Sequence, residues 1–177
     1  MRATSDQLLR FYEGTAPDDQ GRKFDAIVLW EDRALEDVHD YVQWLFPTSS
    51  ASRYNATAPL VDASVAAAFA EREELRDRHR RAFDRMLAFY GFQRTGLEIA
   101  PRTGSARWQR RTLNWLTTAN HNLLRINRIL QSVRELGQPE LALAFYECLL
   151  DVQGTPEGKR AIPEATRRIW GQAAGDE

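Results

Sequence analysis

The fold is decided by the segment Asp62–Tyr90, DASVAAAFAEREELRDRHRRAFDRMLAFY, whose apolar residues recur at helical spacing over the longest stretch of the chain. A period of three to four residues is the spacing of one helix face. Asp62 is a typical N-cap residue, and Gly91 is a natural C-terminal stop. The pattern predicts one long helix from Asp62 to Tyr90, in which Arg72 is a charged misfit on the apolar stripe.

Further helices are predicted on both sides of this segment. Helical spacing begins at Phe24, and Pro47 should end that helix near Phe46, because the residue before a proline is disfavoured in the α conformation. Beyond Tyr90, helical patterns cover 107–116, 120–136 and 140–152, and a last short helix ends near Trp170. Residues 96–105 have the composition of a loop, and no segment alternates as a strand would.

These patterns predict an all-α fold. We expect a single compact domain over 1–177, with five or six main helices packed around one core. The main body of that domain is expected over about 9–152, and 153–177 is expected to form a short C-terminal helix and a tail.

The composition is that of a globular protein. Of the 177 residues, 43% are hydrophobic and 28% are charged, which are ordinary values for a folded domain. The longest apolar run, Val65–Ala70, is far too short to span a membrane, and the N-terminus lacks the apolar stretch of a signal peptide. The single cysteine, Cys148, excludes an internal disulfide. We therefore expect a cytoplasmic location.

Charge is distributed unevenly along the chain. Residues 1–46 contain five basic and ten acidic residues, whereas 94–134 contain eight basic and one acidic residue. With Trp108 and Trp115 interleaved, the basic segment makes nucleic-acid binding one possible function. The alternative is that its arginines form a solvated face or pair with the acidic segment. The candidate basic patch consists of Arg102, Arg107, Arg110, Arg111 and Arg128.

The sequence gives little support to the common enzyme classes. It has no HExxH, Walker or GxGxxG motif and no GxSxG, so we predict no catalytic residue, no metal site and no cofactor. Cys148 has the setting of a small core residue, and His79 lies on an apolar stripe, where a core histidine is expected. An unrecognised enzyme that uses His39 and His121 as acid and base remains an alternative.

Two stretches contain polar residues that could bind a ligand. In the first, His39 and Gln43 share one helix face next to Trp44; in the second, an Asn-rich stretch begins a helix that carries Arg125. The competing interpretation is that His39 and Gln43 satisfy backbone groups and that Asn120 is an N-cap. The candidate ligand-binding residues are His39, Gln43, Trp44, Asn114, His121, Asn122 and Arg125.

Three motifs carry a resemblance to a known family: HDYVQWLFP over 39–47, MLAFYG over 86–91 and NHNLLRINRILQS over 120–132. Together they resemble the conserved N-terminal domain of the opioid growth factor receptor family, with Val42 and Asn127 as departures. The resemblance implies a relation to animal receptors for the peptide Met-enkephalin, which restrain proliferation and associate with the nucleus. The Arg- and Ala-rich composition favours a minimal bacterial member.

From the motifs and the resemblance we expect a non-enzymatic receptor-type module. Its ligand would be a peptide or a small anionic molecule, bound in a groove between the two motif helices. Arg125 would hold a ligand carboxylate, with His121 and Asn122 as neutral partners.

Overall fold

A computed structural model describes residues 2–176, so that Met1 and Glu177, the ends of the predicted 1–177 domain, lie outside the described residues. Within this range the chain is mostly helical, as predicted. The expected number of five or six main helices is wrong, because the described residues form eleven helices and a two-stranded sheet. The chain forms two compact units, described separately below: residues up to Ala82 with Glu135–Gly137, and Phe83–Arg134 with the residues from Gln138 onward.

The first unit is built from short helices. The predicted helix from Phe24 to Phe46 is in fact three helices separated by turns. The last of them ends where Pro47 requires, because Leu45 is the last helical residue and Phe46 has left the helical conformation, with φ −134° and ψ 69°. The elements are α1 (Ser5–Glu13), α2 (Phe24–Val28), α3 (Asp32–Asp37), α4 (Val42–Leu45), α5 (Ala63–Glu71) and the first part of α6 (Glu73–Tyr90).

The misfit Arg72 marks a break in the predicted long helix. Its backbone is extended, with φ −112° and ψ 103°, which separates α5 from α6. The guanidinium of Arg76 donates to the carbonyl oxygens of Phe69 and Ala70, which the break leaves without helical partners. The side chain of Arg72 forms an ion pair with Glu13 of α1 at 2.8 Å. Arg72 therefore ends α5 and connects it to α1 through the ion pair with Glu13.

The core of the first unit is an aromatic cluster around His79. The ring of His79 lies 5.5 Å from that of Phe46 and 6.1 Å from those of Tyr12 and Phe69. As predicted, His79 is fully buried. Burial, together with the positive charge of Arg80, lowers the pKa of His79 to about 3. The imidazole is therefore neutral in the folded protein.

The second unit contains a β-hairpin that the sequence did not predict. The strands pair antiparallel from Phe92↔Pro101 to Thr95↔Glu98, and Gly96 in the turn has a φ of +61°. The prediction of a loop over 96–105 is wrong for Glu98–Pro101, which forms a strand. A strand of four residues is too short to show the alternation of apolar and polar residues by which strands are recognised. The elements after α6 are β1 (Phe92–Thr95), β2 (Glu98–Pro101), α7 (Ala106–Thr112), α8 (Asn122–Glu135), α9 (Pro139–Gly154), α10 (Pro156–Ala161) and α11 (Glu164–Ala174).

Two tryptophans anchor the core of the second unit. Trp115 is fully buried, and its indole N–H donates to the carbonyl of Tyr90 at 2.9 Å. Trp170 donates in the same way to the carbonyl of Leu123 at 3.0 Å. Both rings thus combine a large buried area with a satisfied polar atom. None of the helices in the described part of the chain is long and apolar enough to cross a membrane.

The depressed pKa of His79 predicts acid sensitivity. The unfolded imidazole binds a proton near pH 6.5, but the folded one binds it only near pH 3. The free energy of unfolding should therefore fall by about 1.4 kcal/mol per pH unit as the pH drops below 6.5. Urea unfolding of wild type and His79→Gln should be compared between about pH 7 and about pH 4.5, a range that begins just above the unfolded pKa. The free energy of unfolding of His79→Gln should depend less steeply on pH than that of the wild type. An unchanged slope would contradict this assignment.

Candidate functional site

The first unit contains two hollows that meet at Asp19 and Thr57. Each has a volume of about 230 Å³. The Gln43 hollow is lined by Asp19, Gln20, His39, Asp40, Gln43, Tyr54, Asn55 and Thr57. The Trp44 hollow is lined by Arg2, Ala3, Thr4, Gln7, Pro17, Asp18, Asp19, Trp44 and Thr57. The structure thus brings together three of the predicted ligand residues: His39, Gln43 and Trp44.

Asp19 joins the walls of both hollows. Its carboxylate accepts a hydrogen bond from the indole N–H of Trp44 at 3.0 Å and one from the hydroxyl of Thr57 at 3.2 Å. The sequence analysis missed Asp19 and Thr57. Their contacts span 25 and 38 residues along the chain, so no local spacing points to them.

A partly buried ion network stiffens the loop that carries Asp19. Arg22 donates to Asp18 at 2.6 Å and to Asp40 at 2.7 Å. Burial lowers the pKa of Arg22, but the hydrogen bonds to Asp40 and Asp18 outweigh this effect and leave the pKa above its ordinary value. Through Arg22, this network therefore ties the 14–23 loop to Asp40, which lies shortly before α4.

Gln43 has an acceptor without a donor. The residue lines the Gln43 hollow and is 8% exposed. Its Oε1 is buried and accepts no hydrogen bond from any residue of the described range 2–176. A buried polar atom without a partner costs about 1–3 kcal/mol. A ligand N–H that reached this oxygen would remove the cost.

The other four predicted ligand residues lie in the second unit. Asn122 is fully buried, and its Oδ1 accepts hydrogen bonds from the hydroxyl of Tyr90 at 3.3 Å and from the guanidinium of Arg125 at 3.2 Å. Its Nδ2 donates to the carbonyl of Asn114 at 2.9 Å. His121 is exposed, whereas Arg125 is only 7% exposed. The side chain of Asn122 thus links the turn before α8 to the core of the second unit.

Asn120 takes the role of a helix-start residue. Its Oδ1 accepts from the backbone N–H of Asn122, the first residue of α8, at 2.9 Å. Its Nδ2 donates to the carbonyl of Asn114 at 3.0 Å. Ala119, which directly precedes Asn120, has a φ of +56°. The turn is therefore tight, and these hydrogen bonds offset its strain.

The basic patch is only partly exposed. Arg102, Arg107 and Arg110 are exposed, whereas Arg111 and Arg128 are half-buried. The idea that Trp115 could flank a nucleic-acid groove is wrong, because its ring is 0% exposed.

The second unit also contains a larger groove. It has a volume of about 590 Å³ and a mainly apolar lining. We call it the apolar groove; its lining residues are Pro101, Thr103, Trp108, Gln109, Thr112, Leu116, Asp151, Val152, Thr155 and Glu157. Of these lining residues, the sequence analysis singled out only Trp108, because the groove forms where the folded chain brings β2, α7, α9 and α10 together.

The structure bears on the two kinds of reactive group that the sequence raised, a cysteine thiol and a metal cluster. Burial, with a smaller contribution from the negative charge of Asp151, raises the pKa of the Cys148 thiol to about 12, so the thiol stays protonated. Within residues 2–176, no three His, Cys, Asp or Glu side chains are grouped so that they could hold a metal ion.

Comparison with known proteins identifies the family. A family model described as the opioid growth factor receptor (OGFr) conserved region matches residues 4–153. This match covers most of the chain. The chain therefore belongs to the opioid growth factor receptor family.

Relatives in animals support this assignment. The mouse opioid growth factor receptor is 38% identical over 115 residues, which cover 64% of this chain and 18% of the mouse protein. The human receptor is 37% identical over 117 residues, with 64% and 17% covered. Mouse opioid growth factor receptor-like protein 1 is 31% identical over 156 residues, with 81% and 32% covered. The chain thus spans less than a third of the length of these relatives.

The same comparisons bear on two further points. These relatives are animal proteins, and they give no support to the expected bacterial origin. No solved structure matches the chain.

The hydrogen bonds of Asn122 predict a structural role that can be measured. Replacement of Asn122 by Ala should lower the free energy of unfolding by about 2–3 kcal/mol, because it leaves buried partners unsatisfied. Thr118→Ala, at an exposed position in the preceding turn, should change it by less than about 0.5 kcal/mol. Urea unfolding monitored by tryptophan fluorescence tests both. Equal small effects would show that the Asn122 network contributes little to stability.

Proposed function

We propose that this chain is a peptide-binding module of the opioid growth factor receptor type, and that its ligand occupies the two hollows of the first unit. The observation that carries the proposal is the buried Oε1 of Gln43, which lacks a donor in a side chain that lines an open hollow. An extended peptide presents backbone N–H groups that can donate to such an acceptor. The names of the relatives, which describe receptors for a growth factor, fit this kind of ligand.

The chemistry of the Gln43 hollow favours a ligand that donates hydrogen bonds. Asp19 and Asp40 contribute carboxylate oxygens, and Gln43 contributes its free acceptor. A carboxylate or phosphate would meet like charge here. Trp44 lines the neighbouring hollow and supplies aromatic surface for an apolar side chain. The proposed ligand is therefore a peptide whose backbone N–H or amino groups face the Gln43 hollow.

Arg125 has a different place in this proposal. Its guanidinium is 7% exposed and already donates to Asn122. A ligand carboxylate could reach it only by opening that buried network, which is costly. We therefore assign Asn122 and Arg125 to the scaffold of the second unit, and His39, Gln43 and Trp44 to the ligand contacts.

Met-enkephalin is the probe that tests the proposal. It should bind the wild-type chain in a calorimetric titration. Gln43→Leu should weaken binding about fivefold to tenfold, since it removes one buried hydrogen bond of about 1 kcal/mol. The same variant should keep or raise the free energy of unfolding, because the unpaired acceptor is gone. If the Gln43 side chain had only a structural role, the replacement would instead lower the free energy of unfolding.

Gln172→Leu is the matched control. Gln172 is exposed on α11 in the second unit, so its replacement should alter neither binding nor stability by more than about 0.5 kcal/mol. If wild-type protein fails to bind Met-enkephalin at about 1 mM, the weakest affinity that the measurement would resolve, the proposal is wrong for this peptide. If Gln43→Leu binds as tightly as wild type, the ligand lies elsewhere.

Nucleic-acid binding is a second candidate because of one observation. Arg102, Arg107 and Arg110 are exposed, and none of them forms an ion pair with another residue in the described range. They are thus free to contact phosphates. Binding of a single-stranded oligonucleotide should weaken with salt, and Arg107→Glu combined with Arg110→Glu should abolish it. A gel-shift titration at low salt without retardation would refute this function.

A further inference from the structure

The apolar groove of the second unit has the size of a small-molecule site. Its volume of about 590 Å³ lies within the range of about 300–1,000 Å³ that is typical of ligand pockets. Trp108, Leu116 and Val152 supply aromatic and aliphatic surface. The groove shares no lining residue with the two hollows that the proposed peptide function uses.

The lining of the groove carries negative charge. Asp151 lines it and lies in the last turn of α9, whose final turn carries no basic residue. The carboxyl end of a helix already bears a partial negative charge, so a carboxylate there is unfavourable by itself. Asp151 is exposed and pairs with no cation among the described residues. A positive group at this end would relieve both effects.

A second carboxylate strengthens this field. Glu157 lines the same groove from the first turn of α10. Its ion pair with Arg160 spans 3.2 Å, but 64% of the Glu157 side chain and 69% of that of Arg160 remain exposed. Such exposed pairs contribute little and exchange easily. No arginine or lysine is among the lining residues, so the charge within the groove is wholly acidic.

We propose that the apolar groove binds a small molecule that combines an apolar body with one ammonium group. The apolar body lies against Trp108, Leu116 and Val152, and the ammonium group lies beside the carboxylate of Asp151. Charge complementarity selects this class over a neutral or anionic molecule of the same shape. This site is independent of the peptide hollows, so either proposal can fail without the other.

Three probes with one apolar body test the charge preference: 4-phenylbutylamine, 4-phenylbutanol and 4-phenylbutyrate. Each is titrated into ¹⁵N-labelled protein, and the shift of the Trp108 indole N–H, assigned with Trp108→Phe, reports occupancy of the groove. The amine should bind about threefold to fivefold more tightly than the alcohol. It should bind about tenfold more tightly than the carboxylate, which meets repulsion.

Variants separate the charge from the cavity. Asp151→Asn should reduce the affinity for the amine to that for the alcohol and leave the alcohol unchanged. Glu147→Gln removes an exposed carboxylate from the same helix outside the groove, so it should change neither affinity. Leu116→Trp should fill the groove and abolish binding of all three probes, and its unfolding curve shows whether it folds.

Three results would overturn the proposal. The first is equal affinity for the three probes, or no binding of any of them. The second is tightest binding of 4-phenylbutyrate, which would mean that exposed arginines of α7, such as Arg107 and Arg110, determine the charge preference of the groove. The third is an Asp151→Asn variant with unchanged preference for the amine.

Discussion

The neutral imidazole of His79 is the constraint on which the first unit depends. It is enclosed by rings from three other segments, those of Tyr12, Phe46 and Phe69, and a proton on it would bring a charge into that apolar enclosure. The same cluster fixes α4, because the Tyr12 hydroxyl donates to the carbonyl of Leu45 at 2.6 Å. The buried cluster therefore determines where Gln43, on that short helix, meets solvent. Core packing and the proposed binding surface thus depend on one four-residue helix.

The family motifs divide into two kinds of residue. In the QWLFP motif, Gln43 and Trp44 line open hollows. In the NHN motif, Asn120 and Asn122 instead bind the carbonyl of Asn114 and hold a tight turn before α8. A conspicuous motif of polar residues can therefore be a device for building a turn, and only burial and hydrogen bonds distinguish this from a binding site.

The sequence was sufficient for the helical class, the end of α4 before Pro47 and the burial of His79, because each follows from local spacing or backbone sterics. It failed at Arg72, since the break in the helix depends on Arg76 reaching back to free carbonyls and on Glu13 from a distant helix. Of the candidate ligand site, the HDYVQW stretch pointed to His39, Gln43 and Trp44. Asp19 could not be predicted, because its contacts with Trp44 and Thr57 form only when the chain folds.

Gly158 sets a limit on how the second unit can change. A Cβ at this position would lie 2.0 Å from the carbonyl oxygen of Val152, so α10 can approach the end of α9 only with a glycine there. Any larger residue would push the two helices apart and displace the wall that carries Glu157. Side chains that line the groove can therefore be exchanged, whereas the spacing between α9 and α10 is fixed by a single missing methyl group.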